Sequence, residues 1–287
     1  MRILSLQSSV VYGHVGNSAA VFPLQRLGHE VIAVPTVLFS NHTGYGAWRG
    51  RVLSAEDVHD LVLGVEERGA LTDVDLVLSG YQGSPAIAEV ILDAVGRVKR
   101  ANPAAVYACD PVLGNARSGC FVDPALPVLI RDRVVPAADL VTPNQFELAR
   151  LTDAVPDTGR CNLDEILDAA TLLLGRGPRT VLVTSVDRHD QPGGTIEMVV
   201  ATSTGAWLVG TPRLGFVANG SGDVTAALFS AHLHASGNPA AALGRTAASV
   251  FGMLDATFRA GAAELLLVES QDVLVDPRTQ FEVVQVR

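Results

Sequence analysis

The segment Ala218-Asn219-Gly220-Ser221-Gly222-Asp223-Val224-Thr225 sets a serine between two glycines and follows it with a carboxylate before a helix-like run. The backbone N–H groups of Gly220, Ser221 and Gly222, uncovered by the missing glycine side chains and aimed from a helix N-terminus, can hold an anion such as a phosphoryl group. Asp223 in the first turn would sit beside that anion, placed to take the proton of an attacking hydroxyl. The same residues also make an ordinary helix start, with Ser221 as cap and Asp223 complementing the dipole. Alone, the segment leaves both readings open.

A second constellation follows Val141-Thr142-Pro143: Asn144-Gln145-Phe146-Glu147 puts an amide and a carboxylate at i, i+3 on one face of a short helix. With Asp110 of Cys109-Asp110-Pro111, these residues can hold a hydrated Mg²⁺, which takes one or two carboxylates, waters and phosphate oxygens. Taken singly, Asn144 and Glu147 are a cap and a surface charge, and Asp110 is an Asp-Pro turn. The chain has neither a GxxxxGK[ST] loop nor an HRD or DFG motif, so any phosphoryl transfer uses another scaffold.

Such residues must be positioned by a sheet. Strand-like and helix-like runs alternate from the start, which predicts βαβ units: one α/β domain over 1–287, three-layered, with a mostly parallel sheet between helices. Strands are expected at 2–6, 31–38, 75–79, 105–109, 139–142 and 179–184. Helices are expected after Gly16, capped by Asn17 or Ser18 and stopped by Gly28, then from the Ser54 capping box to about Gly69, and at 85–99, 162–174, 224–234 and 239–255. The polar stretch 187–194 reads as a lid, and 195–201 with 206–209 as antiparallel strands at one edge. Leu265 to Val268 fits either strand or helix. In such sheets ligands bind beyond the carboxyl ends of the strands. Those ends here carry Gln7-Ser8, Ser40-Asn41-His42-Thr43, Ser79-Gly80-Tyr81, Asp110, Thr142-Pro143-Asn144 and Thr184-Ser185, which together look like a lined cleft.

Composition narrows the partners. Lys and Arg number 21 against 30 Asp and Glu, a net charge of −9 without basic runs, which argues against nucleic acid or an anionic membrane. The apolar runs are strand-length, short of the ~20 residues of a membrane span, and the N-terminus lacks the apolar core of a signal peptide. Cytoplasmic residence is therefore expected. Cys109, Cys120 and Cys161 show no metal or disulfide spacing.

With GSGD, NxxE and Asp-Pro in place, the chain resembles the ribokinase-like superfamily and, within it, the pyridoxal kinases, through QSSVVYGHVGNSAA (7–20), VLFSNHTGYGAW (37–48), LSGYQGS (78–84), CDPVLG (109–114), VTPNQFEL (141–148) and GSGDVTAA (220–227). The resemblance covers nearly the whole chain. It implies ATP-dependent phosphorylation of the 5′-hydroxymethyl group of pyridoxal, pyridoxine or pyridoxamine, with Mg²⁺ and with K⁺ as an open possibility, and it implies a homodimer. By position, it implies Ser8 on the polar edge of the pyridine ring, Val37 and Phe39 on its faces, and Thr43, Tyr81 and His42 around the pocket. Asp110 and Glu147 would hold Mg²⁺ directly or through water, Thr142 and Asn144 would support the nucleotide phosphates, and Thr184, Ser185 and Thr211-Pro212-Arg213-Leu214 would line the ATP site. Asp223 would be the general base, with Gly220, Ser221 and Gly222 around the transferring phosphoryl. The loop 187–194 would shield the phosphates from water. Some bacterial members carry Lys at the position of Thr184, so the charge facing the phosphates must come from Mg²⁺ or another basic residue. The same machinery would suit a kinase for hydroxymethylpyrimidine or another small alcohol, and a vitamin-binding protein without catalysis is a third reading.

Overall fold

The computed structural model describes residues 1–155, 161–191 and 193–287; Pro192, part of the polar stretch 187–194, lies outside them. In chain order the elements are β1 (Arg2–Val10), α1 (Asn17–Arg26), β2 (Glu30–Phe39), β3 (Gly50–Val52), α2 (Ala55–Glu67), β4 (Val74–Ser79), α3 (Pro85–Ala101) and β5 (Val106–Cys109). A small hairpin, β6 (Gly114–Asn115) and β7 (Gly119–Cys120), precedes α4 (Leu126–Leu129) and α5 (Val135–Ala137), which a π-helical turn joins. The second half holds β8 (Leu140–Val141), α6 (Gln145–Thr152), α7 (Leu163–Leu174), β9 (Thr180–Val186), β10 (Thr195–Thr202), β11 (Gly205–Pro212), α8 (Ser221–Ser236), α9 (Pro239–Arg259), α10 (Gln271–Val275) and β12 (Val283–Gln285).

Ten of these strands form one sheet in the order β12-β11-β10-β9-β8-β5-β4-β1-β2-β3. From β2 to β9 every neighbouring pair is parallel, while β3 at one edge and β10 to β12 at the other run antiparallel. The central parallel strands β4 and β5 are buried on both faces, which is why they read as short apolar runs without alternation. Successive side chains of β1 go to opposite cores: Leu4 and Leu6 pack with α2, α3, α6 and α7, whereas Ile3 packs with α1, α8 and α9. This is the three-layer ribokinase-like architecture.

Local sequence accounts for most helix ends. Ser54, Asn144 and Asn162 each accept from the N3 backbone N–H while the N3 carboxylate bonds back, closing three capping boxes. Two expected caps are corrected. Gly16, at φ 54°, caps α1 without a side-chain bond. Asn17 is instead turned into the sheet, donating to the carbonyls of Gln7 and Val34 and accepting from Ser5 Oγ, and Ser18 Oγ bonds both backbone groups of Val10. Likewise Ser221 is the first residue of α8 rather than its cap. Gly220 holds the cap position at φ 83°, and Ser221 Oγ donates to the Ala218 carbonyl. Several elements are too short or too polar to register in the sequence: β3 is exposed throughout, β6 and β7 are two residues each, and β12 pairs only along an edge. Leu265 and Leu267 belong to neither strand nor helix; they plug the seam between α8 and α9 beside Val224, Leu228 and Met253.

Asn17 is buried and uses both amide protons and its carbonyl oxygen, so removing its amide costs two carbonyls and the Ser5 hydroxyl a partner each. Asn17→Ala is expected to lower the unfolding free energy by about 2 kcal/mol in urea titrations.

Candidate active site

The chain reverses direction across β1: β2 lies on one side of it and β4 on the other. A crevice outside the carboxyl ends of those strands is the expected ligand position in an open α/β sheet. Ser8 sits there, buried, opposite a register shift in which β2 carries one more residue than β1. The extra length turns Thr36 toward the next strand end, where its Oγ1 donates to the Tyr81 carbonyl at 2.7 Å. Val37 is fully buried, Phe39 is partly buried with its ring 6.1 Å from that of Trp48, and Thr43 is exposed at the head of a short 3-10 turn. Burial raises the Tyr81 phenol above its ordinary range. The residues expected around a substrate thus share one end of the sheet.

The neighbouring strand ends carry the acidic residues. Asp110 is buried after β5, and its Oδ1 accepts from Thr142 Oγ1 at 3.1 Å. Glu147, also buried, accepts through Oε1 from the N–H groups of Leu113 (3.0 Å) and Gly114 (3.4 Å), and through Oε2 from Asn144 N–H at 2.9 Å. The Asn144 amide then donates to the Gly114 carbonyl at 2.9 Å, so the α6 cap and the β6 hairpin form one unit. Glu147 is consequently committed to backbone donors, which suits holding a cation through water better than direct ligation.

Asp223 meets these groups from α8. Burial pushes its carboxyl up to about 6, against N–H bonds from Gly16 and its own backbone. Burial likewise raises Glu147 to about 7, with Asp223 adding repulsion. Asp110 is driven well above the usual range by burial first, then by the charges of Glu147 and Asp223. Among the described residues no basic side chain pairs with any of the three, and no three His, Cys, Asp or Glu side chains stand close enough to hold a metal unaided.

The turn before α8 is built for close approach. A Cβ on Gly220 would run into the His14 carbonyl oxygen, whereas the space beyond Gly222 is open. The three-donor nest is corrected in one respect: Ser221 N–H already makes a long bond, 3.4 Å, to the Ala218 carbonyl. The N–H groups of Gly220 and Gly222 have no acceptor among the described residues, leaving two donors at the N-terminus of α8.

On the far side, Thr184 N–H bonds the Pro143 carbonyl, and Thr184 bridges to Asn144. Ser185 is exposed at φ 54° where the β9–β10 register shifts, a strained position for a non-glycine residue. Thr211 is buried, Pro212 is exposed, Leu214 is partly buried, and Arg213 pairs with Asp187 at 2.9 Å and with the Thr195 carbonyl. The loop after β9 is pinned by a bidentate Arg188–Glu197 ion pair (2.6 and 3.0 Å) that also reaches Asp190. Arg117 is exposed on the β6–β7 turn.

One group escaped the sequence reading. Glu264, in the unassigned tail, accepts from His42 Nε2, Tyr45 O–H and His14 N–H at 2.9, 2.6 and 3.0 Å. It belongs to no motif, and only the fold brings it within reach of loops more than 200 residues away.

Residues 69–267 match the family described as Phosphomethylpyrimidine kinase. The chain is 60% identical to pyridoxal kinase PdxY of Leifsonia xyli subsp. xyli and 57% identical to that of Corynebacterium diphtheriae, in both cases over 100% of both chains. Its fold superposes on pyridoxal kinase from Leishmania donovani in complex with ADP and ginkgotoxin at a TM-score of 0.92 with 28% identity, covering 100% of this chain and 99% of the other. The same enzyme with ADP and pyridoxine gives 0.91 at the same identity and coverage. Fold and site together define a small-molecule kinase of the ribokinase-like type, and the chain belongs to the phosphomethylpyrimidine kinase family, grouping there with the pyridoxal kinases.

The raised carboxyls make a testable link to stability. A folded state that raises a carboxyl pKa holds more protons than the unfolded chain, so the stability it contributes is lost as pH rises through the folded value. Above pH 3.8 the wild-type protein pays this penalty at Asp110 and the Asn variant does not. The stability of Asp110→Asn relative to wild type should therefore increase as pH rises from about 4 towards neutrality in metal-free buffer. A difference that is flat or falls with pH in paired unfolding curves would contradict the electrostatic account.

Proposed function

We propose that the chain phosphorylates the 5′-hydroxymethyl group of pyridoxal, and of pyridoxine and pyridoxamine, with ATP as donor. The observation that carries the reading is Asp223, a carboxyl raised to about 6 at the N-terminus of α8, beside two unpaired N–H groups and opposite Asp110 and Glu147. A base with that value is ionised at neutral pH yet basic enough to take a proton as the hydroxyl attacks.

In the reaction, the substrate oxygen bonds the γ-phosphorus as the bond to the β–γ bridging oxygen breaks. ADP leaves with that electron pair, and the hydroxyl proton passes to Asp223. The N–H groups of Gly220 and Gly222 receive the phosphoryl oxygens, with Ser221 holding the turn between them. Ser8, Val37, Phe39, His42, Thr43 and Tyr81 hold and orient the vitamer. Thr142, Asn144, Thr184, Ser185, Thr211, Pro212, Arg213 and Leu214 line the nucleotide side. The three mutually repelling carboxyls suit a divalent cation, and Asp110 with Glu147 would hold Mg²⁺, largely through water; when bound, the ion neutralises phosphate charge. The loop 187–194, pinned at Arg188, keeps water from the phosphates.

We further propose that residues 1–287 act as one domain and that the protein works in the cytoplasm as a homodimer. Its three cysteines are free, and no helix of the described residues is long and apolar enough to cross a membrane. The exposed apolar side chains Val11, Tyr12, Leu38, Trp48 and Val52 supply a surface that a second copy could cover. The family match gives a second reading, a hydroxymethylpyrimidine kinase. Parallel product assays on the purified protein separate the two: pyridoxal 5′-phosphate, followed by absorbance, should dominate over phosphorylated pyrimidine.

Asp223→Asn is expected to leave pyridoxal and ATP dissociation constants within a few-fold of wild type while lowering kcat by about 10³-fold. Near-normal turnover in calorimetry-matched samples would remove Asp223 from the proton transfer.

A further inference from the structure

We infer that Glu264 is a positioning residue: its carboxylate latches the His42–Tyr45 loop over the substrate and fixes the glycine turn that receives the phosphoryl group. The inference rests on the kinase reading above. Glu264 lies beyond α9, with its side chain only 14% exposed. One oxygen, Oε1, accepts from both His42 Nε2 (2.9 Å) and Tyr45 O–H (2.6 Å), and the other, Oε2, accepts from His14 N–H (3.0 Å). The His42 and Tyr45 rings stack at 4.6 Å, so the two donors reach the carboxylate as one rigid pair.

Three separate chain segments meet on this carboxylate. The His42–Tyr45 pair brackets Thr43 in the connection from β2 to β3, next to Phe39. His14 lies in the β1–α1 loop, and its carbonyl abuts Gly220, the cap of α8. The neighbouring Gly16 donates its N–H to Asp223. Gly13 leaves room for the Glu264 carboxylate, and Gly44 packs against both the His42 ring and the Asn219 amide. Displacing Glu264 would therefore release the substrate loop and, through His14, the turn and base at α8. The ATP-facing residues on β9 and β11 share none of these bonds.

That asymmetry separates a latch from a general prop. Glu264→Ala should raise KM for pyridoxal about tenfold and leave KM for ATP within about twofold, the scale of losing a charge-assisted hydrogen bond on one ligand's side only. ATP hydrolysis per pyridoxal phosphate formed should also rise, because a loosened loop admits water. Tyr45→Phe should show a smaller effect in the same direction and add nothing in the Glu264→Ala background, while Glu264→Gln, which keeps an acceptor oxygen, should recover part of the loss. Hydrogen exchange on the intact protein without substrates reads the latch directly: exchange in 12–16 and 41–48 should quicken in Glu264→Ala with sheet peptides unchanged. Equal rises in both KM values, additive effects of the two substitutions, or uniform acceleration of exchange would overturn the inference. If wild-type protein makes no pyridoxal phosphate, the kinase reading fails while the exchange result still decides whether the latch exists. Should Glu264→Ala not fold, Tyr45→Phe and Glu264→Gln carry the same comparison.

Discussion

Three carboxyls, Asp110, Glu147 and Asp223, converge at the carboxyl edge of the sheet, where burial raises all of them and the charge of Asp223 adds repulsion at Asp110 and Glu147. A fold gains nothing in stability from such a cluster, since desolvated like charges are among the costliest groups to bury. The surroundings limit the cost with uncharged donors. Thr142 serves Asp110, three backbone N–H groups serve Glu147, and Gly16 N–H reaches Asp223. Among the described residues no arginine or lysine pairs with the cluster, so uncharged donors are its only hydrogen-bond partners. Stability is given up locally to keep three buried carboxyls at the edge of the sheet where ligands of open α/β folds bind.

The rest of the architecture supports that edge. β8 is only two residues long and is held between β5 and β9, with Val141 opposite Cys109, which sets Thr142 and Asp110 side by side just past their strands. The β6–β7 hairpin is tied to α6 through Glu147 and Asn144, so a shift in either would move the acidic residue. Opposite, Gly220 must be glycine on two counts, its φ of 83° and the His14 carbonyl pressed against it. That contact sets how near the β1–α1 loop lies to α8, and hence where Asp223 stands relative to the strand ends.

Sequence reasoning reached the parts whose signals are local. Apolar runs located the parallel strands, the capping box at Ser54 located the start of α2, Asn144 was legible as a cap, and the glycine-flanked Ser221 pointed to the α8 turn. It failed where tertiary bonding outbids a local preference. Asn17 and Ser18 have ideal cap chemistry, yet the sheet offers Asn17 the carbonyls of Gln7 and Val34 and offers Ser18 the backbone of Val10, so Gly16 takes the cap. Ser221 loses the cap locally, to Gly220 at positive φ, and its Oγ bonds the Ala218 carbonyl three residues back. Short edge elements such as β3 and β12 bury too little to leave a pattern. Leu265 and Leu267 resisted assignment because their apolar side chains fill a seam between helices and follow no helix or strand period.

Glu264 marks the boundary of what a motif can show. Its partners His42 and His14 are separated from it by 222 and 250 residues, and a glutamate between Ala263 and Leu265 carries no local sign of either. Yet the same apolar tail that defied assignment is what holds it: Leu265 and Leu267 anchor on α8 and α9, and Leu266 N–H bonds Thr257 Oγ1. With the backbone after Glu264 fixed in that seam and Ala262 N–H bonded to the Thr257 carbonyl before it, its carboxylate is held facing the His14 and His42 loops. The irregular segment is therefore shaped by what it must present, and its lack of period follows from serving a buried seam on one side and three polar donors on the other.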